Sequence, residues 1–318
     1  MISVTLYIDG LYQYRERAWR MTLNPDHIFI ISILSINILV WIVLSIPKNR
    51  KKLPSIYLIT RSWWWMLALL FGCYLLAQIT NAFGDYIYWW VLDGLFIVIG
   101  LQGLYEIFRL WRLPSKNKLL QKLAAQQSSQ INAHNSASSL NVSNLSLLSV
   151  SHRGILDIGL LMLLVCLIIS LLALHHLSFN RSMDGVLLFV LFASQFNDIS
   201  QYLCGRLLGG RLFQRKLAPR VSPNKTIEGA LFGSLLSASL ATILGILVTP
   251  FSWVTSFAFA ILLAVSGIMG DLLESAFKRH HGIKDTGTIL PGHGGILDRI
   301  DSLLIGVPLF TVIYWLMY

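Results

Sequence analysis

Residues 270–301 carry many ionisable side chains in a chain that is otherwise strongly apolar. The segment GDLLESAFKR predicts one polar helical face, because its polar side chains recur at intervals of three and four residues: Asp271, Glu274, Ser275 and Lys278. An ionisable group inside an apolar helix is unfavourable unless it contacts protein, water or an ion. This face therefore predicts an ion-binding or catalytic site. An ion pair between Glu274 and Lys278 that only joins helices is the alternative.

The segment PGHGGILDRID follows, and its proline and glycines predict a loop in which the backbone can approach a ligand closely. Asp298, Arg299 and Asp301 then open the last apolar run. Amide groups at the start of a helix favour anions, whereas two carboxylates three residues apart can hold a cation. The pattern predicts a metal-bound phosphate, with helix capping by Asp298 as the alternative. His293 is a candidate proton donor or hydrogen-bond donor, or only a turn residue.

A third group of polar residues extends from Asp198 to Glu228. Asp198, Tyr202 and Arg206 follow one another at intervals of four residues and so share one helical face. The segment SPNKTIEG then supplies hydroxyl, ammonium and carboxylate groups in a short polar loop: Ser222, Lys225, Thr226 and Glu228. Basic groups beside hydroxyl groups are typical of polyphosphate sites. This group therefore predicts binding of a phosphate-bearing substrate.

Long apolar helices must position these groups. Hydrophobic residues make up 55% of the 318 residues, charged residues make up 13%, and the mean hydropathy is +0.65. These values exclude an ordinary water-soluble domain and indicate an integral membrane protein. A helix of about 20 apolar residues crosses a bilayer core of roughly 30 Å. We therefore predict an all-α, polytopic fold with about eight transmembrane helices, near residues 28–46, 63–81, 86–108, 155–176, 185–205, 229–249, 253–276 and 302–318.

The formal net charge is +10, which in a soluble protein would suggest a nucleic-acid partner. Here the basic residues are concentrated in alternate loops between the apolar runs, and no nucleic-acid partner is expected. Basic loops of a membrane protein face the cytoplasm. We therefore predict a multi-pass protein of the cell inner (cytoplasmic) membrane, with its active site facing the cytoplasm. The loops in question are 47–61, 111–122, 205–220 and 278–285.

The chain divides at a polar segment rich in Ser, Asn and Gln, residues 126–153, which predicts a flexible cytoplasmic linker. The three cysteines fall inside or beside apolar runs and are far apart in sequence, so no disulfide framework is expected. The predicted organisation has four parts: an amino-terminal arm (1–27), a first three-span segment (28–112), a polar linker (113–153) and a catalytic five-span domain (154–318).

The pattern from Ser275 to Asp301 resembles the signature of the phosphatidate cytidylyltransferase family, also called CDP-diacylglycerol synthases. It reads S-x-x-K-R-x(4)-K-D-x-G-x(3)-P-G-H-G-G-x-x-D-R-x-D, and it matches the family at its fixed positions. GDLxES before it, and D-x(3)-Y-x-x-GR-x-x-G with SPxKTxEG further upstream, are also similar to that family. The resemblance covers about a third of the chain, all in its second half. The first three spans resemble the family mainly in being apolar, with Glu106 near a family glutamate.

The resemblance implies transfer of CMP from CTP to phosphatidic acid in a membrane, giving CDP-diacylglycerol and pyrophosphate. It implies Mg²⁺ as cofactor, with K⁺ as an accompanying ion. Asp271 and Asp298 match the family's metal-binding aspartates, with Glu274 and Asp301 as further candidates. The matched catalytic positions are Lys278, Arg279, Lys284, Asp285, His293 and Arg299. The positions matched to substrate binding are Asp198, Tyr202, Arg206, Ser222, Lys225, Thr226, Glu228 and Ser275.

The chain departs from the family pattern at Asn224, where the family usually has a first lysine before Lys225. Because of this difference, a cytidylyltransferase that acts on another lipid phosphate, such as a polyprenyl or ether lipid, is the alternative interpretation. An ion-coupled secondary transporter is the alternative from another class, because intramembrane carboxylates also bind coupling ions. A homodimer is a further hypothesis that the residues do not test.

Overall fold

The computed structural model describes residues 24–47, 50, 54–81, 85–112, 143–180, 183–289 and 294–317. Most of the predicted arm, most of the predicted linker and His293 lie outside these residues. Within them the fold is almost entirely helical, with one short hairpin, so the predicted all-α class is confirmed. The helices are α1 (Pro25–Ser45), α2 (Pro54–Ala77), α3 (Trp89–Arg112), α4 (Ser143–Asn180), α5 (Gly185–Leu208), α6 (Ile227–Val248), α7 (Trp253–His281), α8 (Leu297–Ile300) and α9 (Leu303–Met317).

The long helices lie at the predicted spans. Among the described residues, six helices are long and apolar enough to cross a membrane: α1, α2, α3, α4, α6 and α7. The other two predicted spans form helices that do not meet the same measure. The last of these, α9, has only 15 residues, and α5 carries Asn197, Asp198 and Arg206 in its second half. The polytopic membrane fold is therefore confirmed, and the count of eight spans is not.

Two helices begin at least nine residues earlier than the sequence predicts. Helix α2 begins at Pro54, before the aromatic run Trp63–Trp65 where the predicted span starts. Helix α4 begins at Ser143, inside the segment predicted as a flexible linker. Polar residues are compatible with a helix that continues past the apolar core, and hydropathy alone does not mark where such a helix begins.

Helices α5 and α6 pack with their backbones in direct contact. A Cβ atom added at Gly233 would lie 2.5 Å from Cα of Gln201, and one added at Gly229 would lie 2.9 Å from the Gln201 carbonyl oxygen. Small residues allow this close approach between membrane helices, where van der Waals packing drives association. The approach brings the polar half of α5 against the start of α6, which is where the predicted phosphate-binding groups lie.

Replacing Gly233 with alanine should destabilise the protein by about 1–3 kcal/mol, because the added methyl group overlaps the α5 backbone rather than a movable side chain. The melting temperature of the purified protein in detergent measures this effect. Gly72→Ala is the matched control, since a Cβ at Gly72 would have no heavy atom within 4 Å. Equal melting temperatures for the two variants would contradict the proposed close contact.

Candidate functional site

A cavity of about 680 Å³ lies where α5, α6 and α7 meet the polar segment before α9. Its walls carry both acidic and basic side chains, in contrast to the apolar surfaces of the same helices. The residues lining it are Gln195, Asp198, Gln201, Tyr202, Gly205, Arg206, Ser222, Asn224, Lys225, Thr226, Gly229, Ala230, Asp271, Lys278, Asp285, Asp298, Arg299 and Asp301. The three polar groups predicted from the sequence therefore come together at one place.

The short hairpin brings Lys225 to this cavity. Strands β1 (Lys216–Ala218) and β2 (Ser222–Thr226) pair antiparallel, with Lys216 opposite Thr226. Thr226 then caps α6, because its side chain accepts a hydrogen bond from Gly229 N at 3.0 Å. Lys225 forms an ion pair with Asp271 of α7.

Glu228 fixes the loop after α5 instead of lining the cavity. Its Oε1 atom accepts hydrogen bonds from the backbone N–H groups of Gly210, Leu212 and Phe213, at 2.8–3.1 Å. The side chain is fully buried. A loss of this carboxylate would remove three hydrogen bonds from the loop before β1, so Glu228 supports the hairpin that carries Lys225.

Lys278 joins two carboxylates from different parts of the chain. Its Nζ atom lies 2.5 Å from Glu274 of the same helix and 2.8 Å from Asp298 of α8. The Glu274–Lys278 ion pair, the alternative drawn from the sequence, is therefore present. It does more than join helices, because the same ammonium group also faces the cavity.

Asp298 organises the glycine-rich loop before α9. Its Oδ1 atom accepts from Lys278, and its Oδ2 atom accepts from Thr286 N, Thr286 Oγ1 and Gly295 N, each at 2.8 Å. Burial opposes ionisation of Asp298, but the hydrogen bond and the charge of Lys278 outweigh it and hold the pKa of this carboxyl below its usual value. Asp298 is therefore ionised at neutral pH. It caps the loop and faces the cavity at the same time.

Glu106 of α3 holds the same loop from the other side. Its carboxylate accepts from Ile296 N at 2.9 Å and Leu297 N at 3.0 Å, and the residue is 1% exposed. Its Oε2 atom also lies 2.9 Å from Thr286 Oγ1, whose single proton is shared between Glu106 and Asp298. A Cβ at Gly295 would lie 2.4 Å from the Glu106 Oε2 atom, so a glycine is needed there. The sequence places Glu106 near a family glutamate and predicts no partner for it. The glycines at 287 and 295 were the signal of a close approach.

Asp198, Asp271 and Asp301 crowd one wall of the cavity. Asp198 accepts a hydrogen bond from Ser302 Oγ at 3.1 Å, and Asp271 accepts one from Ser275 Oγ at 3.2 Å. Burial, together with the charges of Asp271 and Asp198, raises the pKa of Asp301 to about 8. Carboxylates that repel one another in this way are a favourable environment for a bound cation.

The structure separates the predicted site residues into two sets. Those at the cavity are Asp198, Tyr202, Arg206, Ser222, Lys225, Thr226, Asp271, Lys278, Asp285, Asp298, Arg299 and Asp301. Those that do not line it are Glu228, Glu274, Ser275, Arg279 and Lys284. Of the second set, Arg279 donates to the carbonyl oxygens of Val221 and Ile283, at 3.3 and 3.2 Å, and so ties the hairpin to the loop after α7. Gln195, Gln201 and Asn224 line the cavity and were not predicted.

The residues present fit a divalent cation. Five carboxylates line the cavity, at positions 198, 271, 285, 298 and 301, against four basic side chains, at positions 206, 225, 278 and 299. The basic groups are therefore already balanced before any substrate enters. A phosphate-bearing ligand would add further negative charge, which a hard cation bound by carboxylate oxygens would offset.

Known proteins are similar to this chain. The profile of the Cytidylyltransferase family matches residues 25–317. The chain is 44% identical to the uncharacterized protein YnbB of Escherichia coli over 125 residues, which are 39% of this chain and 41% of that protein. It is 42% identical over 135 residues to a phosphatidate cytidylyltransferase of Staphylococcus haemolyticus (41% and 50% of the two chains) and 46% identical over 112 residues to one of Bacillus subtilis (35% and 40%). The matches thus span half or less of each relative's length.

Proposed function

Because the chain belongs to the Cytidylyltransferase family, we propose that it transfers CMP from CTP to phosphatidic acid, giving CDP-diacylglycerol and pyrophosphate. The observation that carries the proposal is the mixed acidic and basic cavity, which is built on membrane helices and bordered by the polar hairpin. A lipid phosphate can reach such a cavity while its acyl chains remain in the bilayer. The relatives that carry the name phosphatidate cytidylyltransferase support the choice of acceptor.

The proposed reaction is a displacement at phosphorus. A phosphate oxygen of the lipid forms a new P–O bond to the α-phosphorus of CTP, and the bond from that phosphorus to the bridging oxygen breaks. Pyrophosphate leaves with the electron pair. A phosphomonoester is already ionised near neutral pH, so no strong general base is required. The work of the protein is to position two negatively charged reactants and to offset their repulsion.

The basic side chains at the cavity supply this positioning. Lys225 and Arg206 approach from the side of the hairpin and α5, and Lys278 and Arg299 approach from α7 and α8. We assign all four to the phosphate groups of the two substrates, because ammonium and guanidinium groups bind phosphate oxygens through charge-assisted hydrogen bonds. Lys225 and Lys278 each already pair with a carboxylate, which holds their side chains in place before substrate binds.

We further propose that Asp271 and Asp298 hold Mg²⁺, with Asp198 and Asp301 adding negative charge around it. Bound there, the ion would neutralise phosphate oxygens and assist departure of pyrophosphate. The crowding of carboxylates at one wall supports this assignment. The proposed orientation, with the cavity facing the cytoplasm of an inner membrane, follows from the basic loops and from the cytosolic location of CTP.

A product assay tests the function. The purified protein, in detergent micelles with Mg²⁺, is given CTP labelled at the α-phosphate and one of three acceptors: phosphatidic acid, an ether-linked phosphatidate or a polyprenyl phosphate. A sample without lipid is the blank. We expect a labelled lipid only with phosphatidic acid and the ether-linked form, with one pyrophosphate released per labelled lipid. Labelling only with the polyprenyl phosphate would make the acceptor assignment wrong and direct attention to Asn224, which lines the cavity. No labelled lipid with any acceptor, together with ion flux in proteoliposomes, would favour a transporter.

A further inference from the structure

A second cluster of polar side chains lies at the opposite end of the helices from the cavity. Asp93 is near the start of α3, and His175 and His176 are near the end of α4. On α3, Asp93 is separated by about 20 Å of helix from Glu106, which contacts the loop of the candidate active site. The two sites are therefore distinct, and the proposed reaction does not use the second one.

The three side chains form a compact set of metal-ligating atoms. His175 Nδ1 lies 2.6 Å from Asp93 Oδ1, and His176 Nε2 lies 3.0 Å from Asp93 Oδ2. The three ligand atoms all lie within 4.8 Å of one another. Ligands bound to one tetrahedral Zn²⁺ lie about 3.3 Å apart, so side-chain adjustments of roughly an ångström or less are sufficient.

The surroundings of this cluster favour an ion over a simple hydrogen-bonded pair of helices. His175 is 1% exposed, and its Nδ1 atom and the Nε2 atom of His176 each face one oxygen of Asp93, so both carboxylate oxygens are directed at imidazole nitrogens. A buried carboxylate is unfavourable without a compensating positive charge, which a bound cation would supply. Asp93 is also buried, and no lysine or arginine among the described residues forms an ion pair with it. The cluster thus has a buried carboxylate whose side-chain partners, among the described residues, are two imidazoles.

One imidazole gives the cluster access from outside. The His176 side chain is 48% exposed and contacts Trp89 at the beginning of α3, where aromatic residues mark the membrane–water interface. His175 is enclosed by Phe179, whose ring centroid is 4.4 Å away. An ion could therefore enter from the aqueous side past His176 and reach the two buried ligands, Asp93 and His175.

We propose that Asp93, His175 and His176 bind Zn²⁺ or a similar borderline divalent metal ion. Two imidazole nitrogens and one carboxylate oxygen form a ligand set that suits zinc and is poorly suited to Mg²⁺, which prefers oxygen ligands alone. The ion would join α3 to α4, next to the point where Gly100 and Gly103 allow these two helices to pack closely. Because α3 also carries Glu106, the ion would stabilise the helix that supports the active-site loop.

Metal titration of the full chain in detergent tests this site. Zn²⁺ binding is measured by calorimetry and Co²⁺ binding by its visible absorption, both with Mg²⁺ present to fill the carboxylate cavity, and the melting temperature is recorded with Mg²⁺ alone and with Mg²⁺ and Zn²⁺ together. We expect one Zn²⁺ per chain, a tetrahedral Co²⁺ spectrum, and a rise in melting temperature when Zn²⁺ is added to the Mg²⁺-bound protein. His176→Ala and Asp93→Asn should each weaken Zn²⁺ binding by at least about tenfold.

His27→Ala is the matched control, because His27 lies outside the cluster and its ring forms a hydrogen bond with Gln78, at 3.4 Å. It should bind Zn²⁺ as the wild type does. The exposed position of His176 makes its replacement compatible with folding, so its result is decisive even if Asp93→Asn is unstable. Equal Zn²⁺ binding by the wild type and His176→Ala, or no binding by the wild type, would overturn the proposal and leave a hydrogen-bonded contact between two helices.

Discussion

Replacing Asp271 with asparagine is expected to lower the rate of CDP-lipid formation by about a thousandfold while the protein remains folded. Asparagine keeps the volume of the side chain and removes its charge. Lys225, which pairs with Asp271, would then lose its partner, and the cavity would lose one of the carboxylates that crowd its wall. Steady-state rates measured over a range of Mg²⁺ concentrations check this, since a metal-binding role also requires more Mg²⁺ for half-maximal activity.

Asp85→Asn is the matched control for this experiment. Asp85 is an exposed carboxylate in the turn before α3, where its partner is Asn81 at 3.1 Å. The same chemical change at this position should leave the rate and the Mg²⁺ dependence unaltered. A folded Asp271→Asn protein with near wild-type activity would rule out Asp271 as an essential metal ligand, whichever lipid is the true acceptor.

Replacing Glu106 with glutamine is expected to lower kcat/KM by about a hundredfold, although Glu106 does not line the cavity. The carboxylate accepts hydrogen bonds from Ile296 N and Leu297 N, and a glutamine can accept at only one of its two terminal atoms. A buried donor left without a partner costs about 1–3 kcal/mol. Each increase of about 1.4 kcal/mol in the activation free energy lowers the rate about tenfold. The loop that carries Asp298 and Arg299 would therefore be held less firmly.

Two further variants, Glu106→Asp and Gln102→Ala, separate the effect of the lost charge from that of the altered side-chain length and of a lost neighbouring donor. Their kcat/KM values are compared with that of Glu106→Gln. Glu106→Asp keeps the charge and shortens the side chain, so its kcat/KM should fall between those of the wild type and Glu106→Gln. Gln102→Ala removes only a weak donor to Glu106, at 3.3 Å, and should have little effect. If Glu106→Gln retains full activity with an unchanged melting temperature, Glu106 does not support the site.

The sequence predicted the groups that meet at the cavity better than it predicted their partners. Asp271 and Lys278 were found from helical spacing, because a polar face on an apolar helix is visible in one segment. Their contacts to Lys225 and Asp298 join segments far apart in sequence, and no local pattern specifies such contacts. Glu228 was read as a substrate ligand because it follows Lys225 and Thr226, but its side chain turns to three backbone N–H groups of the preceding loop.

The helices were predictable for a physical reason as well. Apolar runs long enough to cross a bilayer must satisfy their backbone hydrogen bonds internally, so they form helices wherever they occur. The positions where they begin depend on polar flanking residues, and both α2 and α4 begin before the predicted bounds. Close approaches such as that of Gly233 to Gln201 depend on which helices are neighbours. The pairing of helices cannot be predicted from the local pattern of a single sequence.

The contact of Glu106 with the loop before α9 has a consequence for biosynthesis. Thr286 lies 180 residues after Glu106 in the chain. A ribosome delivers α3 to the membrane long before it has made Thr286, Ile296 and Leu297, the loop residues that hydrogen-bond to this carboxylate. During that interval the charged or protonated side chain must be accommodated by lipid headgroups, water or the insertion machinery. The hydrogen bonds that hold this loop can form only after the last part of the polypeptide has been made, so the site is completed at the end of synthesis.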